Sequence, residues 1–319
     1  MKDQYGRIID YMRISITDRC NLCCSYCRPN RAVHPDHSDI LSYDEILRVC
    51  RLAVRLGITK FKITGGEPFA RKGAPDFARD LRRIQGVRSV TVTTNGTFSD
   101  DRLCVKLKEA GIDGINISVD TTERERYRKI TGADLLDAVL LNIEKCINAG
   151  LKVKINTVLL HDISSDDIKG LVRLAENTGI PVRFIEMMPM GKEKTHGQSG
   201  QYVRDFLLKK GYKLCTVPEK LGNGPAVYYS LSGGIARIGF IEAIHGKFCD
   251  RCNRIRLSST GILRPCLYYE DGTDVRLMLR SGAGDDEILD KMRETIYRKP
   301  AAHNFEKMPS YGHMSDIGG

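Results

Sequence analysis

The sequence predicts an α/β fold: a partial, TIM-like (β/α)6 barrel over residues 1–190, then a smaller β-rich unit over residues 191–319. Three observations predict it. From residue 12 to about 187, short β-branched and apolar runs alternate with amphipathic helical stretches, and that alternation implies parallel strands joined by right-handed crossovers. The alternation gives six units, too few for a closed eightfold barrel but enough for an open or partial one. After residue 190 the helical stretches give way to short segments broken by Gly and Pro. A doubly wound sheet is the alternative; with either, the chemistry belongs at the C-terminal ends of the strands.

Taken in order, MRISIT (12–17) is the first strand. The first helix follows in SYDEILRVCRLAVRLG. There Ser42 and Glu45 stand at capping-box spacing, Ile46, Val49, Cys50, Ala53 and Val54 share one face, and Gly57 stands at the stop. KFKIT (60–64) and a helix over 75–85 make the second unit, VRSVTVTT (87–94) and a helix over 100–110 the third. GINISVD (114–120) precedes a helix over 134–149 that stops at Gly150. LKVKINTVLL (151–160) precedes a helix opening at Ser165 and closing near Gly179, and IPVRFIEMM (180–188) ends the series. Beyond the polar loop MGKEKTHGQSGQ, the sequence predicts a helix over 201–210. The strand-like segments YKLCTV, PAVYYSL, GIARIGFI and NRIRLSST follow. From about residue 299 periodicity fades.

Composition narrows the class. The chain's 319 residues suit one large domain plus a smaller one. Its 41% hydrophobic and 28% charged residues suit a globular protein. The first residues lack the apolar stretch of a signal peptide, and no apolar run reaches the ~18–20 residues that cross a bilayer. The expectation is therefore a cytoplasmic protein that binds no membrane, in which thiols stay reduced and clustered cysteines read as ligands or catalytic groups. The net charge of +10 suits a polyanion: nucleic acid, a membrane surface or a phosphorylated small molecule.

The cysteines carry the sharpest signal. Just past the first strand, TDRCNLCCSYCRP places Cys20, Cys24 and Cys27 at C-x3-C-x2-C spacing, with Cys23 out of register. Three thiolates from one loop can hold three corners of a [4Fe–4S] cluster and leave one iron open. A zinc site would want a fourth ligand, often in C-x2-C pairs. After the second strand, ITGGEP (63–68) offers two glycines whose N–H groups are unobstructed and whose backbone can approach a ligand closely. A second set, Cys249, Cys252 and Cys266, has C-x2-C-x13-C spacing among Arg251, Arg254, Arg256 and Arg264. It can hold a second cluster; a zinc knuckle with His245 as fourth ligand is the alternative. The arginines suit phosphate, to which a guanidinium offers a planar, bidentate fork.

The C-x3-C-x2-C motif followed by GGEP resembles the radical SAM superfamily. From about residue 5 to the C-terminus the chain resembles the GTP 3′,8-cyclase family within it, through both cysteine triads, CNRIRL and the terminal Gly318-Gly319. The resemblance implies two [4Fe–4S] clusters, S-adenosylmethionine (SAM) at the first, and GTP lying between them. It implies that Tyr26, Gly66, Ser118 and Met188 contact SAM. It implies that Arg13, Lys62, Thr93, Lys154, Arg254, Ile255 and Arg256 contact GTP, and that Gly318 and Gly319 reach into the active site. A low-potential electron donor is implied, and a downstream cyclic pyranopterin monophosphate synthase; assembly as a homodimer is left open. Three departures stand out: Lys62 where the family often has Arg, Arg28 where it commonly has Met, and a short loop over 189–200.

Two rivals remain. A radical SAM peptide maturase with an auxiliary cluster would share the first triad, but not the Gly-Gly tail or the Arg-x-Arg after Cys252. A zinc-stabilised RNA-binding protein would use the charge. With 7% aromatic residues and no Trp it would have little surface on which to stack bases, so no nucleic-acid partner is expected.

Overall fold

The structure, a computed structural model, describes residues 1–27, 35–190 and 197–305. Six parallel strands form its centre: β1 (Tyr11–Ser15), β2 (Lys60–Thr64), β3 (Ser89–Thr94), β4 (Gly114–Ser118), β5 (Val153–Leu159) and β6 (Val182–Glu186). They lie side by side in chain order. A doubly wound sheet reverses its strand order at a switch point, and this run does not, so that alternative fails.

The connecting helices are α1 (Tyr43–Arg55), α2 (Ala74–Arg83), α3 (Leu103–Glu109), α4 (Arg124–Thr131), α5 (Leu136–Asn148) and α6 (Ser165–Thr178). The capping box of Ser42 and Glu45 forms as the sequence predicts. Helix α6 opens at Ser165 as expected; Ser164 caps it in a box with Asp167, and Gly179 takes a left-handed conformation at the end. Helix α4 was not expected. It is short and mostly charged, with only Tyr127, Ile130 and Thr131 buried, so no apolar stripe announces it.

Beyond residue 196, α7 (Gly200–Lys209) leads into β7 (Leu214–Val217), β8 (Val227–Leu231) and β9 (Arg237–Ile241). Next come β10 (Arg254–Leu257), β11 (Ile262–Arg264), β12 (Thr273–Asp274), α8 (Val275–Arg280) and α9 (Asp285–Tyr297). Strand β9 pairs parallel with β6 and β10 pairs parallel with β1. The C-terminal strands therefore extend both edges of the central run, giving one twelve-stranded mixed sheet. The expected β-rich unit also carries α8 and α9. The latter buries Ile288, Leu289, Met292 and Ile296 and packs against α1, β11 and β12.

The sheet curls. Side chains of β10 and β9 line one cavity, although seven strand intervals separate them. In a flat sheet that is about 34 Å. The two faces differ in chemistry. Met12, Ile14, Phe61, Ile63, Val90, Val92, Ile115 and Ile117 face the helices and are fully buried, each worth roughly 1.5–3 kcal/mol. The alternate positions inside the curl are Arg13, Lys62, Thr93, Asn116, Lys154, Asn156 and Arg183. A closed barrel fills its interior with Val, Ile and Leu; this one is lined for a polar guest.

Candidate active site between two cysteine triads

The first triad sits on the loop after β1, held from two sides. The Gly66 N–H donates to the Thr17 carbonyl at 2.7 Å and the Glu67 N–H to the Arg19 carbonyl at 2.7 Å. A Cβ at Gly66 would lie 2.2 Å from that Arg19 oxygen. The expectation of an unobstructed N–H therefore fails at Gly66: its close approach is to the cysteine loop. From the other side, the Cys23 N–H donates to the Thr131 carbonyl and the Ser25 N–H to the Ile130 carbonyl, each at 3.0 Å, so the unexpected α4 buttresses the loop. Glu67, missed in the sequence, ties this end to β3. Its carboxylate accepts from the Asn95 N–H at 2.7 Å and the Thr94 hydroxyl at 2.8 Å, and burial still pushes it up to about 7.

Cys20, Cys24, Cys27, Tyr26, Gly66, Ser118 and Met188 all line one cavity of about 220 Å³. The spacing of the cysteines and the ends of β1, β2, β4 and β6 thus converge as expected. The Tyr26 hydroxyl donates to Asp120 Oδ2 at 2.8 Å, and Asp120 Oδ1 accepts the Val158 N–H at 2.8 Å. Burial raises Asp120 to about 6. Burial, then the charges of Asp120, Cys27, Cys20 and Cys23, holds the Cys24 thiol well above its usual range. A buried thiol that resists deprotonation beside two neighbouring thiols is a donor that binding to iron would relieve.

The second triad is built around two buried cations near the ends of the described chain. Arg7 donates to the carbonyls of Cys249 at 2.7 Å, Ala301 at 2.8 Å and Pro300 at 2.6 Å, and its Nε to Asp3 at 2.6 Å. Lys299 donates to the carbonyls of Arg254 and Pro265. Burial pushes the Cys252 thiol up, but Arg254 and Lys299 outweigh it and bring it to about 7. Cys249, Cys252 and Cys266 line a cavity of about 160 Å³ with Arg13, Lys62, Thr93, Arg254 and Arg256. His245 lies elsewhere: its Nδ1 is 2.8 Å from Glu186 Oε1. Among the described residues no three His, Cys, Asp or Glu side chains converge as a single metal ion requires.

The two cavities share Arg13, Thr93, Asn156, Ile185, Met188 and Arg256, so a molecule lying across that wall would face both triads. Burial lowers Arg13 to about 10, with Arg254 and Arg183 adding to it against Tyr11. Lys62 falls well below its usual range through burial, then Arg183, Arg13, Lys154 and Arg254. Buried cations that repel one another make a polyanion site. Lys154 faces into the curl without lining either cavity; its Nζ stands 2.9 Å from where a Cβ of Gly222 would be. The Ile255 side chain is in the hydrophobic core, so only its backbone can meet a ligand. Gly318, Gly319 and Arg28 lie outside the described residues. Sequence reasoning missed Arg183, Asn116 and Asn156. Alternation along β4, β5 and β6 marks them, and the Oδ1 of Asn156 is buried without a partner. A larger groove of about 740 Å³ between α2 and α3 is lined by no cysteine.

Comparison with known proteins agrees with this geometry. The profile of the Radical SAM superfamily matches residues 14–175, and that of Molybdenum Cofactor Synthesis C matches residues 180–305. A GTP 3′,8-cyclase of Clostridium perfringens (strain 13 / Type A) is 41% identical over 329 residues, covering 100% of both chains. One of Thermodesulfovibrio yellowstonii is 40% identical over 325 residues, again covering 100% of both. The chain belongs to the GTP 3′,8-cyclase family. It is accordingly a radical SAM enzyme of molybdenum cofactor biosynthesis, and solved structures with S-adenosylmethionine bound share its fold. Streptococcus suis SuiB bound to S-adenosylmethionine superposes with a TM-score of 0.64 at 15% identity, over 84% of this chain and 63% of that one. Native anSMEcpe with bound AdoMet gives 0.61 at 15% identity, over 91% and 81%. Among the described residues of this family member no helix is long and apolar enough to cross a membrane.

Proposed function

We propose that the chain converts GTP to (8S)-3′,8-cyclo-7,8-dihydro-GTP, the first step of molybdenum cofactor biosynthesis. The observation that carries the reading is the pair of adjoining cavities, each lined by one cysteine triad, with a shared cationic wall. Cys20, Cys24 and Cys27 fit a [4Fe–4S] cluster with an open iron, and Cys249, Cys252 and Cys266 fit a second. Together with SAM and an outside low-potential reductant, the first cluster supplies a hydrogen-abstracting radical when bound. The residues bind and orient. Tyr26, anchored by Asp120, offers an aromatic face to the adenine of SAM, with Gly66, Ser118 and Met188 around it. Arg13, Lys62, Lys154, Arg254 and Arg256 hold the phosphates, and Thr93 and the backbone of Ile255 complete the pocket. The curled wall of a partial barrel over residues 1–190, closed by residues 191–319 and the tail at Gly318-Gly319, excludes water. The setting is the cytoplasm, and a cyclic pyranopterin monophosphate synthase would consume the product.

The reaction joins C3′ of the ribose to C8 of the guanine and leaves the elemental composition of GTP unchanged, so mass alone does not report it. Anaerobic, reconstituted enzyme should be given GTP deuterated at C3′, SAM and dithionite. The expected outcome is deuterated 5′-deoxyadenosine, formed in step with loss of the guanine absorption band. Unlabelled 5′-deoxyadenosine, with GTP recovered intact, would sink the reading.

A further inference from the structure

We propose that Asn116, in the middle of β4, is a positioning residue: it aims the Arg183 guanidinium and the Thr93 hydroxyl at the phosphate chain of the bound nucleotide. The inference rests on the nucleotide reading above and adds a residue that no motif or cysteine spacing marks.

Asn116 is 5% exposed and Arg183 8%. The Asn116 Nδ2 donates to the Val92 carbonyl at 3.1 Å and to Thr93 Oγ1 at 3.3 Å, and its Oδ1 accepts Arg183 Nη2 at 2.5 Å. The Val92 oxygen can only accept, so the amide has one orientation and its oxygen must face Arg183. Thr93 Oγ1 accepts from Asn116, which turns the hydroxyl's own hydrogen elsewhere. Thr93 lines both cavities. The hydroxyl is thereby set as a donor toward whatever lies across their shared wall.

Arg183 lines the second cavity, and its buried Nε has no partner. The titratable groups that favour its charge are the phenols of Tyr228, which also hydrogen-bonds it, and of Tyr11; no carboxylate is among them. A neutral amide is the acceptor that fixes a guanidinium without neutralising it. A carboxylate in its place would pair with the charge and withdraw it from a ligand. Strand register adds a third group: Asn116 lies opposite Thr93 on one side and Lys154 on the other. A hydroxyl donor, a rigid guanidinium and an ammonium thus gather around one buried amide, a set suited to the oxygens of a nucleoside polyphosphate.

The test is equilibrium dialysis of the anaerobic holoenzyme with GTP, GMP and SAM. Wild-type enzyme should bind GTP more tightly than GMP; equal binding would overturn the nucleotide reading and this proposal with it. Asn116→Asp should weaken GTP at least tenfold and shrink the GTP-to-GMP ratio. Its affinity for SAM and its iron content should stay at wild-type values. Asn116→Ser, which loosens Arg183 without pairing it, should shrink the ratio by less. Arg183→Gln should reproduce the Asp result, and the double variant should be no worse than either single one. GTP and GMP weakened by the same factor, additive losses in the double variant, or unchanged GTP binding in both Asn116 variants would each overturn the positioning role.

Discussion

Lys154 shows how far burial bends one side chain toward a task. Burial, then Arg183 and Lys152, lowers its ammonium to about 8. Below that pH it is a cation facing into the curl; above it the unliganded protein holds it neutral. GTP binding must then bring a proton along, so affinity should fall as pH climbs from 7 through 8 to 9. Isothermal titration at those pH values checks this, and Lys154→Arg, which stays charged, should flatten the dependence. A flat wild-type profile would remove Lys154 from the phosphate site. The cysteines were legible because their spacing singles them out, and this lysine only through the family resemblance. Asn116 and Asn156 were not: an amide carries no charge, and its meaning lies in strands distant along the chain, which only the register brings beside it.

At the scale of elements, the site depends on pieces that carry no chemistry. The end of α4 receives two N–H groups of the first cysteine loop, and Gly132 closes that helix with φ +76°. A side chain there must adopt the left-handed region, at roughly 1–2 kcal/mol. Gly132→Val should therefore lower stability to urea by about that amount. Loosening of Thr131 and Ile130 should also reduce iron retained at the first triad, while the second keeps its share. Iron content with stability intact at wild-type level would show that the buttress is dispensable. The six-unit alternation was legible because each strand and most helices repeat a period of burial. Helix α4 was hidden by its charged surface. Helix α9 was overlooked although Asp285, Asp286 and Glu287 open it and Ile288, Met292 and Ile296 recur every four residues. A run of Gly- and Pro-broken strands just before it suggested that the β pattern continued.

At the scale of the molecule, the sequence break near residue 190 and the sheet give different emphases. Composition separates residues 1–190 from the remainder, yet the hydrogen-bonded sheet crosses that point on both sides. Strand β10 is zipped to β1 from Tyr11↔Arg254 to Ile14↔Leu257, and β9 to β6 from Val182↔Ile238 to Ile185↔Ile241. The chamber also takes cations from both sides of the break, Arg13 and Lys62 from one and Arg254 and Arg256 from the other. Removing everything after residue 190 would open two long parallel strand edges and uncover Phe184, which stacks on Phe240 with ring centroids 6.1 Å apart. Unpaired, apolar edges recruit other chains. A fragment of residues 1–190 should therefore elute as aggregate in size-exclusion chromatography, even with its first triad loaded with iron. Co-expression with residues 191–319 should restore a discrete species if the two parts pair through these edges. A monomeric, cooperatively unfolding 1–190 fragment would show instead that the break is a true domain boundary and that the C-terminal strands only dock onto a finished sheet.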